Sequence, residues 1–259
     1  MDYTLSKYES LLAAIQLHNI PVYGIKEWIK NPQANGIILR HDVDRWPVNA
    51  LKMAKLEYKY NISSTYYFRR AKSTFKPSII KKIADLSHEV GYHYEDLSLA
   101  KGDYKKAIQL FNKHLKVIRQ IVPVKTIAMH GRPLSRFNNL DLWKHYDFKN
   151  SDLIGETFLS IDYSDIYYFT DTGRNWYENK NNLRDFTESK IPQQNIKNTD
   201  NLIQFIKNNS KNKIAIATHP ERWNNNKLEW IIYYIIDFIV IVIKYIVKVY
   251  RKINLKNKK

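Results

Sequence analysis

Two aspartates stand two residues apart at the end of the apolar segment that begins at Gly36. The β-branched residues of this segment predict a buried strand, and alternate strand residues share a face, so Asp42 and Asp44 point the same way. Carboxylates this close do not both ionise cheaply unless a cation lies between them or one is protonated. A metal ion would resolve the conflict, with one aspartate as a ligand and the other free as a base. The alternative is a surface pair that ends a strand in a turn.

Further polar side chains follow later predicted strands. They are His93, His130, Asp171 and His219. A single histidine after a strand is usually a structural hydrogen-bonding group, but three with two carboxylates at matching strand ends favour a shared site. In a parallel barrel all strand carboxyl ends open on one face, where active sites lie. The chain has no cysteine, which leaves His, Asp and Glu as metal ligands.

Strand and helix alternate through most of the chain. Apolar residues at helical spacing predict a helix over residues 5–17, Pro47 and Pro77 each open a helix, and Asp103 is a good N-cap. The predicted strands cover residues 36–42, 64–68, 89–93, 124–129, 167–171 and 214–218. This order predicts parallel strands with covering helices, in a barrel or a doubly wound sheet. The polar residues 177–200 predict a long loop.

Composition fits one large soluble domain followed by a separate tail. The 259 residues are 44% hydrophobic and 26% charged. We expect a barrel over residues 1–225 and an apolar, basic helix and tail over residues 226–259. The first residues lack a secretory pattern, so a cytoplasmic location is expected. The formal charge of +17 does not indicate nucleic-acid binding, because no stacking or groove-reading motif accompanies it.

The segment from Trp230 to Tyr250 is apolar with few charges, and seven basic residues without an acid follow from Lys244 onward. Asp237 and the lysines after it recur at helical spacing and line one stripe. Charges within a membrane span are costly, so an interfacial helix with its basic tail on anionic lipid is favoured over a spanning one. The alternative is a helix packed on the barrel or on a partner subunit.

These motifs resemble those of the polysaccharide deacetylase (carbohydrate esterase 4) family over about residues 36–223, in a divergent form. The resemblance implies a distorted, incomplete (β/α) barrel and a divalent metal ion, usually zinc, held by one Asp and two His. It also implies removal of N- or O-acetyl groups from sugars, through hydrolysis of a non-peptide C–N bond or an ester bond.

The resemblance assigns roles position by position. Asp42 corresponds to the catalytic base, Asp44 to the metal-binding aspartate, His93 to the first histidine ligand and His219 to the general acid. Arg132 and Pro133 fall at an Arg/Pro motif that lines the groove, and Asp171 and Trp176 near an Asp/Trp motif. Arg132 and Asp171 would orient Asp42 and His219.

One ligand position departs from the family pattern. The second metal histidine should follow His93 by four residues, but that position is Leu97. We favour His130 as the third ligand, because it ends the next strand and imidazole suits zinc. Glu95 and Asp96 remain alternatives, and they could instead be a charged loop with Asp96 as a helix cap.

The sequence therefore predicts a zinc-dependent hydrolase that removes an acetyl group from a sugar or a lipid-linked glycan, in surface polysaccharide metabolism at the inner membrane face. A cation on Asp44, His93 and a third ligand would activate water, and Asp42 would accept its proton. Aromatic side chains could stack on sugar rings, namely Tyr92, Tyr94, Trp143 and Trp176. The alternatives are hydrolysis of another amide, or a non-catalytic barrel that binds glycan or membrane.

Overall fold

The structure is a computed structural model that describes residues 1–132, 134–176, 187, 189–192 and 194–256, with only the backbone at positions 244, 247, 248 and 250–256. The helices of this part are α1 Leu5–Leu17, α2 Ile25–Lys30, α3 Pro47–Lys59, α4 Pro77–Asp85, α5 Asp96–Leu99, α6 Tyr104–Arg119, α7 Thr199–Asn208 and α8 Lys227–Lys256. The strands are β1 Val22–Tyr23, β2 Gly36–Val43, β3 Thr65–Phe68, β4 Glu89–Tyr94, β5 Thr126–Met129, β6 Gly155–Glu156, β7 Tyr167–Thr170 and β8 Lys213–Thr218.

All strand pairs in the sheet are parallel, in the order β6-β5-β4-β3-β2-β8-β7, and β1 pairs with the first half of β2. The sheet curls into an open half-barrel with helices around it. The predicted distorted, incomplete (β/α) barrel with a long C-terminal helix is therefore confirmed. The expected boundary after residue 225 stays a prediction.

Strand β2 occupies the centre of the sheet, and every residue in it is buried. Its register sets Asp42 beside Tyr67 of β3 and His41 beside Tyr66. Because side chains alternate, Asp42 faces the barrel interior and His41 faces the surrounding helices. The carboxyl end of β2 thereby lies between the ends of β3 and β8.

A buried charge on α3 meets His41 behind the sheet. Glu57 Oε1 lies 2.7 Å from His41 Nε2, and Glu57 Oε2 accepts hydrogen bonds from Ser64 at 2.6 Å and from Tyr66 at 2.9 Å. His41 Nδ1 contacts Thr218 of β8 at 2.6 Å. Burial alone would raise the pKa of Glu57, but the facing His41 holds it at about 2. This cluster joins α3 to three strands at the level just below the strand ends.

The predicted elements are present apart from differences between β7 and β8. The predicted loop 177–200 ends earlier, because α7 begins at Thr199; Asn198 caps it by accepting from the backbone N–H of Asn201 at 2.9 Å. Within this range residues 177–186, 188 and 193 lie outside the described part. Asp103 caps α6 as expected, accepting from the backbone N–H of Lys106 at 3.0 Å.

The C-terminal helix packs on the barrel through its first half. Trp230 Nε1 donates to the backbone oxygen of Asp2 at 2.9 Å, and the ring of Tyr233 stacks on Trp46 with centroids 4.1 Å apart. Asp237 is buried at 4% exposure. The expected stripe that it forms with the later lysines stays a prediction. Within the described residues, no helix combines the length and apolar character needed to cross a bilayer.

We predict that Glu57→Gln lowers the free energy of unfolding by about 3 kcal/mol at pH 7, because it removes a buried carboxylate that accepts hydrogen bonds from Ser64 and Tyr66. The lowered pKa of Glu57 gives stability that is fully present above its usual 4.5 and lost as the pH falls towards about 2. The difference in the free energy of unfolding between the wild type and the variant, measured with urea, should therefore become smaller as the pH falls through that window. Glu9→Gln, at a half-buried position near the surface where Glu9 pairs with Lys59, is the matched control and should change little. An equal loss in both variants would contradict the assignment.

Candidate metal centre

Three side chains from the ends of β2, β4 and β5 converge at one point. Oxygen and nitrogen atoms of Asp44, His93 and His130 lie within 4.8 Å of one another. Asp44 Oδ1 is 3.4 Å from Nε2 of His93 and 3.4 Å from Nε2 of His130. It is buried, yet no hydrogen bond to it has acceptable geometry among the described residues. A buried carboxylate oxygen facing two ring nitrogens in this way fits the ligand set of a divalent cation.

The opposite edge of each imidazole is already bonded to the protein. His93 Nδ1 lies 3.0 Å from the carbonyl oxygen of Ala128, and since a carbonyl only accepts, this nitrogen donates. His130 Nδ1 lies 3.1 Å from Glu95 Oε2 and donates to that carboxylate. Both Nε2 atoms are thus left facing Asp44. Metal-binding histidines typically have this arrangement, with the second nitrogen fixed by a carbonyl or carboxylate.

The charges around this point favour an ionised Asp44. Burial would raise its pKa, but the facing His130 and His93 hold it well below its usual range. Burial would lower the pKa of His130, but Asp44 raises it overall. A proton on His130 and a metal ion would therefore compete for the same nitrogen, because only neutral imidazole binds a metal.

Glu95 stands behind His130 rather than among the three donors. Its carboxylate accepts hydrogen bonds from Arg69 Nη2 at 2.8 Å and from Arg132 Nη1 at 3.2 Å. Burial would raise the pKa of Glu95, but His130 and Arg69 lower it to about 2. An ionised Glu95 holds His130 in the tautomer that presents Nε2, so its place is that of a supporting residue.

The remaining candidate for the third ligand, Asp96, is bonded away from the centre. Asp96 is the first residue of α5 and not its cap; it accepts from Tyr92 at 2.7 Å and lies 2.7 Å from His114 Nδ1. Leu97, at the position where the family has a histidine, is buried in the hydrophobic core. Among the three candidates, His130 is the one that the structure brings beside Asp44 and His93.

Asp42 lies within β2, two residues before Asp44, and is therefore deeper in the barrel than the three metal-ligand candidates. Its exposure is 4%, and Oδ2 lies 3.4 Å from Arg40 Nη2. Oδ1 is buried without a hydrogen-bond partner among the described residues. Arg132, which we expected to orient Asp42, pairs with Glu95 at 3.2 Å, and its role towards Asp42 stays a prediction. The ion-pair partner of Asp42 is Arg40, on the same strand face.

His219 and Asp171 form a second buried pair at the ends of β8 and β7. His219 Nδ1 is 2.7 Å from Asp171 Oδ1, and the His219 backbone N–H donates to Oδ2 at 2.9 Å. Asp171 also accepts from Arg222 at 2.8 Å and Trp223 at 2.9 Å. Burial would raise the pKa of Asp171, but Arg222 and His219 lower it to about 2. Burial and Arg222 would lower the pKa of His219, but Asp171 raises it overall. Asp171 is therefore placed to orient His219, and that role stays a prediction.

The aromatic candidates for sugar stacking lie in the protein interior. Tyr92, Tyr94 and Trp176 are fully buried, and Trp143 is partly buried and donates from Nε1 to Tyr94 at 2.8 Å. They are core residues. Pro133, the second residue of the expected Arg/Pro motif, lies outside the described residues.

Sequence reasoning missed several charged residues of this region. Arg69 directly follows β3, so the rule that polar residues at strand ends mark a site would have found it. Arg222 and Glu221 follow His219 within one turn of 3₁₀ helix, Pro220–Arg222. Glu221 is buried, and Oε1 lies 3.6 Å from Arg45. Nothing in the local sequence indicated that Asp237 of α8 would lie beside Arg222 in this region.

No protein-family model matches this chain, and no curated protein matches it either. Among solved structures it is similar to a CE4 family pseudoenzyme from Bacillus anthracis, with 14% identity and a TM-score of 0.44. That match covers 78% of this chain, which spans 59% of the length of the other protein.

Two further structures are similar. The CE4 domain of a multidomain xylanase from the hindgut metagenome of Trinervitermes trinervoides has 15% identity and a TM-score of 0.39, over 78% of this chain and 82% of the other. Peptidoglycan deacetylase PdaC from Bacillus subtilis has 13% identity and a TM-score of 0.37, over 73% and 89%. All three similarities are of low identity and low TM-score, and they assign no role to any residue of this chain.

We predict that Glu95→Gln weakens zinc binding by about 10- to 100-fold, because it loosens His130 without removing a ligand. Competition with a chromophoric chelator measures this affinity. Leu97→Ala is the matched control: it changes the position where the family has a ligand, and zinc affinity should stay the same. An unchanged affinity in Glu95→Gln, or a loss in Leu97→Ala, would contradict the ligand set described here.

Proposed function

We propose that this protein is a metal-dependent hydrolase that removes an acetyl group from a sugar or a lipid-linked glycan. The observation that carries the proposal is the convergence of Asp44, His93 and His130 with both Nδ1 atoms already bonded to the protein. One carboxylate oxygen and two imidazole nitrogens form a donor set typical of catalytic zinc. A divalent cation held there lowers the pKa of water and stabilises negative charge on a carbonyl oxygen.

Asp42 is the proposed general base. It shares the barrel-facing side of β2, and its Oδ1 is available to accept a proton. Arg40 Nη2 lies 3.4 Å from Asp42 Oδ2 and limits the rotation of the carboxylate. Asp44 would then bind the metal and Asp42 would accept the proton. The spacing of the two aspartates predicts such a pair, with one ligand and one free base.

His219 is the proposed general acid. Asp171 fixes its Nδ1, so Nε2 is the nitrogen that can deliver a proton to the leaving amine or alcohol. The raised pKa of His219 keeps it protonated closer to neutral pH than an ordinary histidine. Asp171 and Arg222 are positioning residues for His219, and Arg132 supports Glu95 behind the metal ligands.

We predict that Asp42→Asn retains stoichiometric zinc but releases acetate about 10²- to 10⁴-fold more slowly, because only the base is lost. Suitable probes are N-acetylglucosamine oligosaccharides, acetylated xylo-oligosaccharides and a cyclic amide, with acetate quantified enzymatically. Asp165→Asn, an exposed aspartate paired with Lys213, is the control and should keep wild-type rates.

The same experiment separates the alternatives. Turnover of the cyclic amide without acetate release would favour a hydrolase of another amide. Zinc-loaded wild type that binds the oligosaccharides but releases no acetate would favour a non-catalytic glycan-binding barrel and reject the proposed activity.

We also propose that the protein is cytoplasmic and that the outer face of α8 lies on the inner membrane surface, beside a lipid-linked substrate. This face is apolar and open to solvent, with exposures of 40–74% at Leu228, Ile231, Ile232, Ile235, Phe238, Ile239 and Val242. The basic residues that follow in the sequence would contact anionic head groups.

We predict that full-length protein sediments with vesicles containing anionic lipid, and that Phe238→Gln combined with Ile239→Gln weakens binding by about tenfold or more, since each loses apolar contact with lipid. Val48→Gln, at an exposed apolar position on α3, is the control. Equal sedimentation of the double variant and the control would reject the membrane surface.

A further inference from the structure

A single carboxylate on the C-terminal helix is surrounded by three arginines. Asp237 Oδ1 receives Arg45 Nη2 at 2.8 Å, and Asp237 Oδ2 receives Arg174 Nε at 3.0 Å and lies 3.4 Å from Arg222 Nε. Asp237 is 4% exposed, so these pairs are shielded from solvent. Burying a carboxylate costs free energy unless its charged partners are held in good geometry. The same contacts restrict the three arginines.

Each of these arginines belongs to a segment of the candidate site. Arg45 directly follows the metal-ligand candidate Asp44, Arg174 comes three residues after Asp171, and Arg222 comes three residues after His219. The carboxylate on α8 therefore joins the loops that follow β2, β7 and β8. These are the loops that carry the proposed acid and one ligand.

Arg222 connects Asp237 to the proposed acid. Its guanidinium donates from Nη1 to Asp171 Oδ1 at 2.8 Å while its Nε faces Asp237. Asp171 in turn lies 2.7 Å from His219 Nδ1. The order of contacts is thus Asp237, Arg222, Asp171, His219, and all four side chains are buried.

The packing of α8 does not depend on Asp237 alone. Trp230 donates to the backbone of Asp2, Tyr233 stacks on Trp46, and Arg174 lies 5.0 Å from the centre of the Trp230 ring. A change confined to the charge of Asp237 should therefore leave the helix in place. This separates the electrostatic role of the carboxylate from the docking of the helix.

We propose that Asp237 is a positioning residue for the general acid: through Arg222 it holds Asp171 and His219 in place and balances the positive charge beside them. The role in catalysis rests on the proposed function, in which His219 protonates the leaving group. The C-terminal helix is then a required part of the site on its acid side.

The charged groups facing His219 determine the expected direction. Asp171 at the end of β7 raises the pKa of His219, and so does Asp44 after β2, whereas Arg222 on the same 3₁₀ turn lowers it. Glu221 is buried on that turn, and Arg45 lies between Glu221 and Asp237. Removing the charge of Asp237 leaves Arg222 less compensated, so the pKa of His219 should fall.

The test is Asp237→Asn in the zinc-loaded full chain, with histidine-selective NMR titration of His219 assigned by a His219→Gln spectrum. We expect the His219 pKa to fall by about half a unit or more. In acetate release, the alkaline limb of kcat should move down by the same amount, with KM unchanged within about twofold. In Asp237→Glu, which keeps the charge, the His219 pKa should lie close to its wild-type value.

Asp200→Asn is the matched control, because Asp200 is an exposed aspartate paired with Lys7. A His219 pKa that is the same in Asp237→Asn, the control and the wild type would overturn the proposal. A lowered pKa in protein that releases no acetate under any condition would support the link from Asp237 to His219 while rejecting the deacetylase activity.

Arg174→Gln provides a second variant if Asp237→Asn does not fold. With one arginine fewer, Asp237 compensates Arg222 more fully, so the His219 pKa should rise. A fall or no change in this variant would contradict the proposal.

Discussion

The site depends on one carboxylate oxygen placed between two imidazole nitrogens. Asp44 Oδ1 lies 3.4 Å from Nε2 of both His93 and His130, while Ala128 and Glu95 occupy the Nδ1 atoms on the far side. With the Nδ1 atoms committed, the two Nε2 atoms can face only the carboxylate, a proton or a cation. The parallel strands supply this geometry, because Asp44, His93 and His130 stand at or just beyond the carboxyl ends of β2, β4 and β5 in one sheet.

Two sets of buried charges hold the flanks of this centre. On one side Glu95 receives Arg69 and Arg132 behind His130. On the other side Asp171 and Asp237 share Arg222 behind His219. In both sets carboxylates alternate with arginines, so the burial of each charge is offset by a fixed partner. The two flanks are thus held by separate contacts. Residues of the barrel hold His130, and residues of the barrel together with Asp237 of α8 hold His219.

The sequence predicted the alternation of strands and helices and the three side chains that the structure brings together, because both follow local rules. Apolar segments ending in polar side chains located Asp42, Asp44, His93, His130 and His219. The partners of these residues were harder to predict, since they come from distant segments. Arg132 pairs with Glu95, and Asp237 on the C-terminal helix is buried against Arg45, Arg174 and Arg222. A helical period fixes which residues share a face, but tertiary packing decides which face is buried.

Anomalous diffraction at the zinc edge, on crystals of the full chain grown with zinc, tests the central claim most directly. The account predicts one strong peak about 2.0–2.2 Å from Asp44 Oδ1, His93 Nε2 and His130 Nε2, with Asp42 unbound beside it. A peak held by other side chains, or none at this point despite zinc bound elsewhere, would contradict it.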